Sequence, residues 1–172
     1  MKEWIPIPGT NKDAILKVAL EEFSSNGYKV VNITELAEKA NVTTGAIYHH
    51  FGSKTKLYEI IRAEMEQRIL DRMEGAVSLF EDTFRKIEAA MIIGLEFAVK
   101  VNICRLLCEE SPGKNKDKVE AFFNEISSES SLPIYIIVTA SWRSILKSIA
   151  EGEITLEQGK QLVKWMFNKE TN

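Results

Sequence analysis

Apolar residues recur along the chain at the three- and four-residue spacing of amphipathic helices, and no run of alternating β-branched residues lasts long enough to make a strand. Ile15, Leu16, Ala19, Leu20 and Phe23 form one such stripe and predict a first helix over residues 10–26. Thr10 and Asp13 are placed as a variant capping box at its start, and Gly27 marks its end. Val30, Val31 and Ile33 are expected to close a small core behind it. Thr34 is the expected cap of a second, short helix with Leu36, Ala37 and Ala40 on its apolar side. Asn41 tolerates the left-handed conformation that ends many helices, so Val42 can fold back onto that side. Thr43 then caps a third helix whose Ile47 and Phe51, four residues apart, face the core.

Two short helices joined by a small turn make the plan of a helix-turn-helix, whose second helix enters the DNA major groove. The residues left outside its core suit that role. Thr43, Thr44 and Gly45 open the helix, and Tyr48 and His49 follow one turn later. Between Lys39 and Tyr58 there are three lysines, two histidines and no acid, a balance that a phosphate backbone favours. Gly45 allows close approach of the backbone, and the hydroxyls of Thr44 and Tyr48 can reach phosphates or base edges.

The stretch L-A-E-K-A-N-V-T-T-G-A-I-Y-H-H-F-G-S-K-T-K-L resembles the TetR family of bacterial transcriptional repressors. It is similar to the family's alanine-rich helix, turn, Gly-x-x-Tyr-x-x-Phe recognition helix and Ser-Lys-x-x-Leu start of the next helix. The likeness extends back to A-L-E-E-F-S-S-N-G-Y at residues 19–28. The chain departs from the family pattern at Asn41, where glycine is usual, and its N-terminus lacks a basic arm. The resemblance implies an all-α protein in which Thr34, Thr43, Thr44, Gly45, Tyr48, His49 and Lys54 face DNA. By motif position, Tyr48 and Lys54 hold the backbone while Thr44 and His49 lie near bases.

Beyond the motif, Ser53 is the expected cap of a longer helix reaching about residue 73, with Leu57, Ile60, Ile61 and Met65 on its apolar side. The stripe from Phe80 to Leu106 predicts one long helix, or two in line, up to residue 110, and Pro112-Gly113 breaks it. Further helices are expected over 116–127, 134–151 and 156–168. The chain is thus read as a helix-turn-helix domain over 1–53 and a helical regulatory and dimerisation domain over 54–172, with the helix at 54–73 as the connector.

Composition narrows the function. The 172 residues are 45% hydrophobic and 27% charged, enough for real cores in a soluble chain. The net charge of −3 divides unevenly: residues 1–60 hold seven basic and seven acidic residues, leaving 15 basic and 18 acidic for the rest. Attraction to DNA is therefore local rather than general. Two cysteines, no basic-then-apolar leader and no apolar run near 20 residues point to the cytoplasm, away from secretion and away from a membrane. No phosphate-binding glycine loop, nucleophile elbow or metal-ligand spacing is present, so neither an enzyme nor a bound cofactor is expected.

Regulatory sites carry weaker signals. Phe84, Met91, Glu96, Phe97, Arg105, Phe123 and Trp142 are candidates for a small-molecule site, against the plainer reading that the aromatic residues fill a core and the charged ones meet water. Cys104 and Cys108 lie four apart on an apolar side, a spacing open to a thiol sensor but more typical of burial. On the helix over 134–151, Ile134, Tyr135, Val138, Trp142, Ile145 and Ile149 make a bulky side. Ile137, Ala140, Ser141, Ser144 and Ser148 make a small one. The last helix carries Leu156, Leu162, Val163, Met166 and Phe167, with Trp165 opposite. Ile137, Ser141, Ser144, Ser148, Leu162, Trp165 and Met166 are accordingly the expected contacts of a homodimer built as a four-helix bundle. The expected partners are a palindromic double-stranded DNA operator, an unknown small-molecule effector and a second copy of the chain. The alternative is a homodimeric protein-interaction module with a vestigial helix-turn-helix.

Overall fold

A computed structural model describes residues 7–110, 112 and 117–168. The described residues form helices α1 (Asn11–Val30), α2 (Ile33–Lys39), α3 (Thr44–Phe51), α4 (Lys54–Val77), α5 (Thr83–Lys100), α6 (Cys104–Cys108), α7 (Lys118–Ile126), α8 (Tyr135–Ala150) and α9 (Leu156–Phe167). No strand occurs among them. The sequence-based break at Pro112-Gly113 and the start of the helix at 116 lie partly outside the described residues.

Caps set most of the helix starts. The Thr10 hydroxyl accepts from the Asp13 amide, while the Asp13 carboxylate reaches one residue further back to accept from the Gly9 amide. Thr43 accepts from Ala46, Ser53 from Lys56 and Asp82 from Arg85. At α2 the expectation needs correction. Asn32, not Thr34, is the cap: its side-chain oxygen accepts from the Thr34 amide at 2.8 Å. Asparagine places an acceptor as well as a threonine does, so the two assignments were close in sequence terms.

Gly27 interrupts α1 rather than ending it. Its φ of 79° and ψ of 166° lie in a region nearly reserved for glycine, and one further turn, Tyr28–Val30, follows the break. Val31 and Ile33 are buried as expected, but Val30 is 73% exposed, because the extra turn carries it to the outer side. The connector α4 runs one turn past the expected end. The apolar stripe from Phe80 divides in two, since Asp82 caps α5 only at Thr83 and Asn102, with φ 56°, turns the chain between α5 and α6.

The helices share one continuous core. Phe23, Ile47, Leu57 and Tyr58 bury its N-terminal end, and Met73, Met91, Phe123, Trp142 and Leu146 its C-terminal end. α4 packs along α5, and α6 is held between α1 and α8. On α8 the bulky side faces inward, with Val138, Trp142 and Ile145 buried. α9 closes over α5 and α8 at Gly159, where a Cβ would sit 3.0 Å from the Ile145 side chain. On the outer side of these helices Trp165 is 76% exposed, Ile137 66% and Leu162 44%. Leu162 therefore stands on the outer side with Trp165 and not on the inward stripe.

Candidate nucleic-acid interface

The turn between α2 and α3 is built from short local bonds. Asn41 adopts φ 53°, its amide donates to the Glu38 carbonyl, and Val42 donates to the Ala37 carbonyl at 2.9 Å. These bonds close the C-terminus of α2 and return Val42 to the core. Ile47 and Phe51 then anchor α3 from below, fully or almost fully buried. The opposite side of α3 is open: Gly45, Tyr48, His49 and His50 are exposed and Thr44 is half-buried. Only the Thr43 hydroxyl lies within 4 Å of where a Gly45 Cβ would be, so the start of the helix is bare of side chains. Thr34 is exposed at the start of α2.

The lysines around this surface are not equivalent. Lys39 forms a 2.6 Å pair with Glu22, a bond that raises its pKa, and Lys56 lies 3.6 Å from Glu59. Lys54 has no carboxylate partner among the described residues. Its ammonium sits 4.6 Å from the centroid of the Tyr28 ring, and partial burial lowers its pKa. Tyr28 in turn is hydrogen-bonded through its hydroxyl to Thr55 and packs edge-on against Tyr58. Lys54 is thus a positive charge held in place by an aromatic ring, available for a phosphate without first breaking an ion pair. The His49 and His50 rings lie edge to face, 5.4 Å apart between centroids, on the exposed side. His50 was not among the sequence candidates; its exposure beside His49 depends on Phe51 being the residue turned inward. Among the described residues no group of three or more possible metal ligands comes together.

Two residues outside the motif tie it to the rest of the molecule. The Glu109 carboxylate, at the end of α6, accepts from the Tyr28 amide at 3.0 Å, just past the break at Gly27. Arg62 of α4 is 4% exposed and donates to the carbonyls of Leu106 and Glu109 and to the carboxylates of Glu66 and Asp117. Arg143 of α8 also binds Asp117. The clue to Arg62 is in the sequence, a charge set on the apolar stripe of Tyr58, Ile61 and Met65, but apart from Glu66 on the same helix the groups that accept from it at Leu106, Glu109 and Asp117 lie 44 to 55 residues away.

The candidate small-molecule residues do not converge. Met91, Phe123 and Trp142 pack together, the Trp142 indole donating to the Met91 carbonyl at 3.2 Å. Phe97 lies under the Arg72 guanidinium, 4.0 Å from its ring centroid, and Glu96 pairs with Lys160 at 2.7 Å. Phe84 is half-exposed against Phe167, and Arg105 borders a separate cleft beside α1. By contrast, the dimer candidates do converge. Ile137, Ser141, Ser144, Leu162, Trp165 and Met166 line one open groove of about 560 Å³ between α8 and α9, and Ser148 is half-buried one turn beyond Ser144.

The profile described as "Bacterial regulatory proteins, tetR family" matches residues 15–61, the span of α1 to the first turns of α4. A probable acrEF/envCD operon repressor of Escherichia coli (strain K12) is 30% identical over 91 residues, 52% of this chain and 41% of that protein. The chain therefore spans less than half the length of this relative. Similarity of fold extends further. A TetR-like transcriptional regulator from Rhodococcus sp. RHA1 superposes with a TM-score of 0.70 at 18% identity, over 95% of this chain and 96% of the other. The transcriptional regulator FadR from Bacillus subtilis, solved in complex with stearoyl-CoA, gives 0.67 at 15% identity, over 92% and 98%. Residues 15–61 thus match the DNA-binding region of the tetR family of bacterial regulatory proteins by sequence, and the whole chain is similar in fold to TetR-like regulators.

Proposed function

We propose that the protein is a sequence-specific DNA-binding transcriptional repressor, released from its operator by a small molecule. The observation that carries this reading is the open face of α3: Gly45, Tyr48 and His49 are exposed and Thr44 half-buried, while Ile47 and Phe51 fix the helix from behind. In this reading residues 1–53 form the DNA-binding domain and α4 carries it on the regulatory part, residues 54–172. Thr44 and His49 face bases, Tyr48, Thr43 and Lys54 hold phosphates, and Thr34 contacts the backbone from the start of α2. A two-fold dimer, joined through the groove of Ile137, Ser144 and Trp165, presents two copies of α3 to successive major grooves about 34–36 Å apart. Repression is supported by the repressor name of the relative, and release by a ligand by the stearoyl-CoA complex of a structural neighbour. The whole-chain activity rests on these likenesses and on the geometry of α3.

Electrophoretic mobility shift against DNA upstream of the protein's own gene, with unrelated DNA as competitor, tests the reading. A discrete complex resistant to competitor is expected. Replacing Lys54 with Ala is expected to weaken binding to all sequences alike and to lower the salt dependence by about one unit of slope. Equal affinity for operator and competitor DNA would reject sequence-specific recognition and favour the interaction-module alternative.

A further inference from the structure

A cleft of about 340 Å³ lies where the DNA-binding part meets the regulatory part, lined by Ser24 and Ser25 of α1, Val99 of α5, Arg105 of α6 and Ile149 of α8, among others. It is separate from the aromatic cluster of Met91, Phe123 and Trp142. Its size is that of a site for a small organic molecule. Two of its polar groups are left without partners. The Ser24 hydroxyl is buried and makes no hydrogen bond, although a serine inside a helix ordinarily bonds to a carbonyl of the preceding turn. The Arg105 guanidinium, half-buried, donates to no described residue and pairs with no described carboxylate. Buried polar groups are nearly always satisfied, so a lone hydroxyl beside an uncompensated cation marks a place for an acceptor from outside. Val99, Ile149 and Ala150 supply an aliphatic wall next to them.

We propose that this cleft binds a small amphipathic carboxylate, with Arg105 gripping the carboxylate, Ser24 donating a hydrogen bond and the aliphatic wall covering the tail. A planar guanidinium matches a carboxylate with two parallel bonds, which an uncharged analogue cannot accept in the same way. The occupant would touch α1, α5, α6 and α8 together, so it would bias how α1 sits against α6, close to the Glu109–Tyr28 bond. This consequence for DNA, though not the binding itself, rests on the proposed repressor function.

Thermal denaturation with sodium hexanoate as the probe, and 1-hexanol and sodium chloride as controls, tests the site. At ten times its dissociation constant hexanoate is expected to raise the melting temperature by about 3–6 °C, with smaller shifts from either control. Arg105→Met should weaken hexanoate binding about tenfold or more, and Ser24→Ala should weaken it less. Both substitutions are small in volume, and a near-UV spectrum like that of the unmodified protein establishes that they fold. No hexanoate shift, a shift equalled by 1-hexanol, or an undiminished shift in Arg105→Met would each overturn the proposal. Mobility shift with and without hexanoate separates the two readings. Failure to bind DNA at all rejects the repressor function and leaves the site standing. DNA binding unchanged by hexanoate that occupies the cleft overturns its regulatory role.

Discussion

Removing Arg62 is expected to be among the most damaging single substitutions in the protein. In Arg62→Met the methionine fills much of the same volume, so the loss is electrostatic rather than one of packing. Arg62 is 4% exposed and Glu66 5%, with 2.8 Å between Nε and Oε1, and Asp117 lies 3.2 Å from the other side of the guanidinium. Asp117 retains Arg143, whereas Glu66 keeps no partner among these groups. Stranding one member of a buried pair costs about 3–5 kcal/mol, which for a chain of this length lowers the melting temperature by about 6–20 °C. Burial already raises the Glu66 pKa above the usual carboxylate value, with Arg62 working in the opposite direction. Without Arg62 that pKa rises further. The folded state then holds a proton that the unfolded state gives up near pH 4.5, so the stability of the variant falls as pH rises above that value. Urea denaturation followed by circular dichroism, at one fixed protein concentration and at pH 5 and 8, measures both effects. The deficit should be larger at pH 8. Adding Glu66→Leu should recover most of it, because an apolar pair can replace a buried ion pair at little cost. A single variant within about 1 kcal/mol of the original, or a double variant no better than the single, would refute the reasoning.

Gly27→Ala should cost about 2.5–6 kcal/mol by calorimetry, of which about 1–3 reflects a backbone conformation nearly reserved for glycine and about 1.5–3 the displacement of the Glu109 carboxylate from the Tyr28 amide; a loss below 1 kcal/mol would show that neither applies. Ser144→Arg sets a charge into the exposed groove of Ile137 and Trp165, and sedimentation should find a monomer that no longer shifts operator DNA; a variant that remains a DNA-binding dimer would place the interface elsewhere. Burial pushes the Cys104 thiol up from 9.0 to about 11, so at pH 8 its thiolate fraction falls from about one in ten to about one in a thousand. Iodoacetamide at pH 8 should therefore modify Cys104 about a hundredfold more slowly in the folded protein than in urea, and after the half-exposed Cys108; equal rates would contradict the burial.

The helix-turn-helix could be read from sequence because its signals act within one turn of chain. Thr43 caps the residue three positions on, Asn41 supplies its own left-handed turn, and Ile47 and Phe51 need only a helical period to share a side. Even there the neighbours Asn32 and Thr34 competed for one cap, and only the backbone around Ile33 settled which oxygen accepts. The groove between α8 and α9 was visible for a similar reason, as small residues alternating with bulky ones along α8. What sequence could not decide is which of two similar residues meets a distant partner. Val30 and Val31 are adjacent valines, yet the break at Gly27 turns one outward and the other into the core. Phe84 and Trp142 are both aromatic residues on helical stripes, but Phe84 lies at the edge beside Phe167 while Trp142 is enclosed by α5 and α7. Arg62 lies on an apolar stripe by local pattern, but the groups that let its charge be buried there, the Leu106 and Glu109 carbonyls and the Asp117 carboxylate, come from α6 and the segments flanking α6 and α7. Caps and stripes depend on neighbours in sequence, whereas burial and pairing depend on which segments the fold brings across tens of residues to the same place.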